Sequence, residues 1–332
     1  MKLKRVTLLI GASVIGVLLC MIASLAFGSR NVGLNAVIEA LTNPGTKAFD
    51  ALVVRQRIPR TVFSIIAGAS LGISGALMQA ITRNPIADPS ILGVNTGASL
   101  FVVCGIAFFQ INTAGQYIWF ALAGATLTAV FVYKIGSMGS GGATPIKLAL
   151  AGAATSAALS SLVSAVILPR TEVMNAYRFW QVGSVGGASW QGIVSVLPFL
   201  IVGLIIGILS SSSLNALALG DDVATGLGVR TGVVRIIAAI AGVLLCGATT
   251  ALAGPIGFVG LMIPHTMRLI CGPNLRVVIP MSAVGGAMLL TISDIIGRLI
   301  GNPGELEAGI VTAFFGAPIL IVIAMRAKVR SL

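Results

Sequence analysis

The sequence predicts an all-α, polytopic membrane protein with ten crossings, and three observations lead there. Of its 332 residues 57% are apolar and only 9% charged, a balance that excludes an ordinary soluble domain. Runs of about the 20 apolar residues needed to span hydrocarbon recur from end to end. Basic residues gather in alternate connecting segments, as expected of a chain threaded back and forth through a membrane.

Seven runs are clean, at 6–28, 61–81, 91–109, 115–133, 148–168, 193–209 and 233–253. Lys2, Lys4 and Arg5 precede the first, but its length exceeds the roughly 7–15 residues of a signal-peptide core, and Leu19 before Cys20 does not fit a lipoprotein cleavage site. It therefore reads as a membrane anchor. Three later runs, at 258–270, 277–296 and 309–325, are less regular, and the first is short enough to require tilt or cover from neighbours. Nine crossings is the alternative count. Asn84-Pro85 and Asp88-Pro89 break the chain after the second crossing and force a tight turn. The whole chain, 1–332, reads as one transmembrane domain.

Ten crossings put both termini on one side. With that side cytoplasmic, the inner segments hold 13 basic and three acidic residues, a net +10, and the outer ones eight basic and six acidic, a net +2. The formal charge of +12 is thereby explained as topology, with no nucleic-acid partner implied. The four cysteines, 20, 104, 246 and 271, show no CxxC spacing and read as small buried residues. His265, the single histidine, has no second histidine with which to hold a metal. The Gly-rich run at 136–142 lacks the strand and GK[ST] of a phosphate cradle.

Inside the crossings, small residues recur at the spacing that lets helix backbones approach in lipid, as in Gly68–Gly72–Ala76 and Gly203–Gly207. The run ALAGAATSAALSSLVS at 149–164 spreads hydroxyls around much of one helix, which suits either close packing or a wide, mildly polar passage. Only Asp294 stands as a carboxylate within a long run, with Arg298 one turn on at salt-bridge spacing. Ion-coupled carriers keep buried carboxylates despite a cost of at least about 2.5–3.5 kcal/mol each. Their absence predicts that energy arrives from a partner.

The polar insert between the sixth and seventh crossings, SSSSLNALALGDDVATGLGVRTGVVR at 210–235, is where such a partner would act. Ser210–Ser213 can cap a short helix carrying a Leu214, Leu217 and Ala218 stripe, and Gly220 can stop it. Asp221 can cap a second, with Val223, Ala224 and Leu227 inward and Gly228 at its end. Two such pieces, at about 213–229, form a helical pair outside the lipid.

Three motifs occur in order over about residues 50–326: RIPR at 57–60 followed by GASLGISGALMQAITRNPIADPSILGVNTGA at 68–98, LALGDDVATGLGV at 217–229, and GPIGFVGLMIPHTMRLICG at 254–272. Together they resemble the FecCD/BtuC-like permeases of bacterial ABC importers. The resemblance implies a ten-helix bundle with short cytoplasmic coupling helices, in the bacterial cell membrane. It implies as partners a second permease subunit, identical or paralogous, two cytoplasmic ATPase subunits and an extracytoplasmic binding protein. It implies a ferric siderophore as cargo, with cobalamin or haem as the alternative, and no catalytic, cofactor or metal residues in this chain. An ion-gradient carrier is the rival class. By resemblance, Leu219, Gly220, Asp221, Asp222, Ala224 and Leu227 meet the ATPase, and Arg57, Arg60 and Arg298 meet glutamates of the binding protein. One departure is Glu307, where relatives commonly carry proline before the tenth crossing.

Overall fold

The computed structural model describes residues 3–43, 45–139, 144–301 and 304–326, with side chains from Gly11 onward except at 114, 145, 179, 322–324 and 326. Residues 140–142 of the Gly-rich run and the terminal cations Lys2, Lys328 and Arg330 lie outside them. The described residues form thirteen α-helices and one 3₁₀ helix, without a strand. Ten of the helices match the expected crossings: α1 (Leu3–Ala26), α3 (Phe49–Thr82), α4 (Val94–Phe109), α5 (Ala114–Gly136), α6 (Pro145–Ile167), α8 (Trp190–Leu217), α10 (Thr231–Ala253), α11 (Val259–Cys271), α12 (Leu275–Ile300) and α13 (Ala308–Arg326). The remainder are α2 (Leu34–Thr42), α7 (Thr171–Gln181), α9 (Asp221–Gly226) and the 3₁₀ turn Pro89–Leu92.

Six of the ten are long and apolar enough to cross a membrane by length and composition alone, while α4 and α11, with 16 and 13 residues, are shorter. At 1.5 Å per residue, the 13 residues of α11 reach only about 20 Å against a hydrocarbon core of about 30 Å. Its neighbours α3 and α12 cover it. The third crossing departs from the uniform helix expected over 91–109. Pro85, Pro89 and Gly93, the last at φ +70°, interrupt the chain, so a capped 3₁₀ turn precedes a 16-residue α4. Asp88 accepts from the Ser90 amide at 2.9 Å to start that turn, and the Ile91 carbonyl lies where any Cβ at Gly152 would have to be. Irregular backbone at this position is tolerated because protein surrounds it.

The 34-residue α3 is the axis of the bundle. It begins twelve residues before the expected run and is mostly buried along its apolar length. Its glycines set the packing. A Cβ on Gly68 would lie 2.2 Å from the Gly286 carbonyl oxygen, one on Gly72 2.1 Å from that of Ser282, and one on Gly75 1.7 Å from that of Gly260. The backbones of α12 and α11 therefore rest directly on α3. Polar side chains tie the same surface: Ser64 to Thr291 at 2.9 Å, Ser74 to the Gly242 carbonyl at 2.6 Å, and Gln79 Nε2 to the Leu261 carbonyl at 3.0 Å. In lipid, where water drives nothing together, close contact and hydrogen bonds of this kind hold helices.

α6 is the opposite case. Only a narrow face of it is buried, and its exposed surface combines small and hydroxyl-bearing residues, Ala153, Ala157, Ser160, Ser161 and Ser164, with Ile146, Leu150 and Leu162.

Gly75→Val forces α3 and α11 apart and should destabilise the protein by about 3 kcal/mol or more. Gly232→Val, where nothing lies within 4 Å of the new Cβ, should not. Fluorescence-detected size exclusion and a thermal melt in detergent check this; equal behaviour of the two variants contradicts the packing account.

Candidate functional site

Two ends of the bundle carry chemistry, and α3 connects them. At one end lies the insert. Ser210–Ser213 do not cap a new helix. They continue α8, with Ser210 Oγ donating back to the Ile206 carbonyl at 2.7 Å. α8 thus runs on to Leu217, and the insert holds one short free helix, α9, after a Gly220 held at φ +119°. Residues at that φ other than glycine are strained.

Six residues is too short a helix to persist alone, and its anchors are ionic. Asp221 is shared by two arginines: Arg83 at the end of α3, and Arg235 in α10, whose Nη2 donates to both carboxylate oxygens at 2.9 Å. Arg83 also donates to the Leu217 carbonyl at 3.1 and 2.6 Å, capping α8. Asn215 accepts from the Leu275 amide at 2.8 Å and donates to Asn274 at 2.9 Å, and Arg276 donates to Ser212 at 2.6 Å, joining the end of α8 to the start of α12. Ala224 is fully buried beneath α9.

Leu214 and Leu217 are buried as expected, but Val223 and Leu227 do not point inward. They are exposed, Leu227 at 63%, and Leu219 at 65%. With only one turn and a half, α9 can bury a single small residue. Leu219, Val223 and Leu227 are left as an apolar group beside the exposed Asp222.

The opposite end is built on arginines. The expectation that Arg57 and Arg298 stand on an open rim is not met: both are buried, at 8% and 2% exposure. Arg57 donates to the carbonyls of Leu25 at 3.0 Å and Ala26 at 3.3 Å, and to that of Arg30 at 2.7 Å. Arg298 donates to the carbonyls of Ser24 and Phe27, both at 3.0 Å, and to Ser24 Oγ at 2.9 Å. Most of these are carbonyls at the end of α1, where two guanidinium groups supply partners and complement the negative end of the helix dipole. Asp294 keeps the expected i,i+4 pair with Arg298 at 3.1 Å and adds Arg60 at 2.7 Å. Arg60 then reaches Glu305 at 2.6 Å, and of this network only Glu305 is well exposed. Glu307 is half-buried, and its carbonyl accepts from the amides of Ile310 and Val311 at the start of α13.

Sequence reasoning missed Arg83, Arg235 and Asn215. The first two were counted only as topological charges, although each flanks a helix break, where orphan backbone groups need partners. Among the described residues no three His, Cys, Asp or Glu side chains gather as a metal site.

The ten helices and the apolar, ion-anchored insert at one end give the architecture of a polytopic membrane protein. The profile of the FecCD transport family matches residues 16–326, and the chain belongs to that family. It is 40% identical over 304 residues to the siderophore transport system permease protein YfiZ of Bacillus subtilis, covering 92% of this chain and 91% of the relative. It is 41% identical over 304 residues to the ferric enterobactin transport system permease protein FepD of Escherichia coli, covering 91% and 90%. The fold matches a metal-chelate type ABC transporter solved in an inward-facing conformation, with a TM-score of 0.83 at 24% identity, covering 96% of this chain and 98% of that one.

Asp294→Ala leaves two buried guanidinium groups without their shared carboxylate. Breaking a buried pair from one side costs about 3–5 kcal/mol. A large drop in melting temperature is expected, whereas Asp50→Ala, at an exposed pair with Arg30, should move stability by less than about 1 kcal/mol.

Proposed function

We propose that this chain carries a ferric siderophore across the bacterial cell membrane as one of two permease subunits, with both termini and the insert in the cytoplasm. Iron chelates in the relatives' names support the cargo, and the charge asymmetry supports the orientation. The exposed small-residue face of α6 has the composition of a passage for a bulky solute, and a second permease subunit, identical or paralogous, would close it from the other side.

The observation that carries the mechanism is the pairing of exposed Leu219, Val223 and Leu227 with a rigid anchor at Asp221. An apolar knob on ionic mounts suits insertion into a cleft of a cytoplasmic ATPase, Leu219, Gly220, Asp222 and Leu227 making contact while Asp221 and Ala224 hold the shape. Closure of two ATPase subunits would move the knobs, and through Asp221 the ends of α3 and α10, as rigid bodies. On the outer face the binding protein would dock over Glu305 and Arg60, with Arg57 and Arg298 beneath holding α1, α3 and α12 in register. ATP hydrolysis takes place in the partner.

Leu219→Asp with Leu227→Asp should leave the permease folded in the membrane and cut ATPase co-purification about tenfold or more. Normal capture contradicts the role. In sealed vesicles, uptake of a ferric siderophore should require the ATPase and ATP; uptake driven by an ion gradient without them overturns the assignment.

A further inference from the structure

A groove of about 290 Å³ lies between α5 and α10, at the end of the bundle that carries the insert. Its walls are Ala129, Val130 and Tyr133 of α5 and Ile236, Ile240 and Val243 of α10, and its lining is almost wholly apolar. Lys134, in the last turn of α5, stands at its mouth. Beside the groove, Leu127, Phe131 and Ile237 are exposed. Large apolar side chains on the outside of a membrane-spanning bundle suit lipid, whose hydrocarbon tails are as apolar as they are. The groove therefore opens sideways towards lipid.

The polar end is as specific as the apolar one. A smaller void sharing Leu92, Tyr133 and Ala239 with the groove is lined by Arg235. The Nε of that arginine is buried without a hydrogen-bond partner. At this end of the bundle stand Arg83, Lys134 and Arg235, against Asp221, which Arg83 and Arg235 share, and its neighbour Asp222. The corner keeps a net positive charge where two helices meet the membrane boundary.

We propose that this groove is a site for an anionic phospholipid of the leaflet on the insert's side, one acyl chain lying between α5 and α10 and the headgroup phosphate held by Lys134 and Arg235. An apolar slot ending in cations at the interface is the arrangement that recognises an acidic headgroup together with its chain. Inorganic phosphate would use the cations but not the slot, and a zwitterionic lipid the slot but not the excess charge. Because Arg235 also holds Asp221, the lipid would brace the mount of α9. The site itself stands whether or not the cargo assignment does.

The test is native mass spectrometry of the delipidated, detergent-purified permease titrated with phosphatidylglycerol or with phosphatidylcholine of the same acyl chains. Phosphatidylglycerol is expected to bind preferentially. Lys134→Gln should weaken it about fivefold, the effect of one interfacial cation, and leave phosphatidylcholine unchanged. Ile240→Trp, at an exposed position that fills the slot, should weaken both lipids. Both substitutions are on the surface, and unchanged size-exclusion profiles establish that the variants are folded. Equal affinity for the two lipids, a preference untouched by Lys134→Gln, full binding in Ile240→Trp, or displacement of phosphatidylglycerol by inorganic phosphate alone would each overturn the proposal.

Discussion

Direct backbone contact along α3 is the constraint on which the rest of the structure depends. At Gly68, Gly72 and Gly75 the carbonyls of α12 and α11 occupy the volume of a missing Cβ. Three such contacts on successive turns leave little freedom to slide or rotate. Long side chains could fill the same space, but each would be an adjustable spacer, and water cannot press the helices together in lipid. Because α3 extends past the bundle at one end and stops at Arg83 at the other, whatever moves one end is transmitted as displacement of a rod.

Both ends of that rod use one chemical device. Helix termini leave carbonyls without partners, and a guanidinium group satisfies several at once while countering the helix dipole. Arg57 from α3 and Arg298 from α12 close the end of α1; Arg83 from α3 closes the end of α8. A carboxylate then joins two arginines at each end, Asp294 for Arg60 and Arg298, and Asp221 for Arg83 and Arg235. Stability at such joints comes less from the ion pair than from the cost of leaving any member unpaired.

The crossings were legible because 20-residue apolar runs have few other meanings, and the insert because polar chain is conspicuous between them. What escaped was set by tertiary context. Ser210–Ser213 look like a cap, but a hydroxyl can as well bond back to its own helix, and only the packing of Leu214 and Leu217 decides that α8 continues. Helix α7 lies in a segment too polar for the membrane signal and the nine-residue α2 is too short for it; α2 is held by Val37 and Ala40 packing with Ala51 and Val54 of α3. The resemblance places Arg57 and Arg298 on the rim, and the sequence does not display the carbonyls of α1 that compensate the cost of burying them. The interruption before α4 was visible in its prolines and in Gly93, yet the apolar run concealed how far into the bundle it extends.

Asp221 explains why a six-residue helix can serve as a mechanical element. A force applied to the exposed Leu219, Val223 and Leu227 would pass through the base of α9, because Ala224 is the one buried residue of that helix and Asp221 carries its ion pairs. The two ionic bonds at that base go to different helices. A displacement shared by Arg83 and Arg235 shifts α3 and α10 together, and Ser74 on Gly242 already fastens these two midway. α3 carries Arg57 and Arg60 to the far face, so a push on the insert and a contact at Glu305 act on the same rigid unit. In the proposed mechanism the two faces of the chain would thus be coupled through the packing of α3.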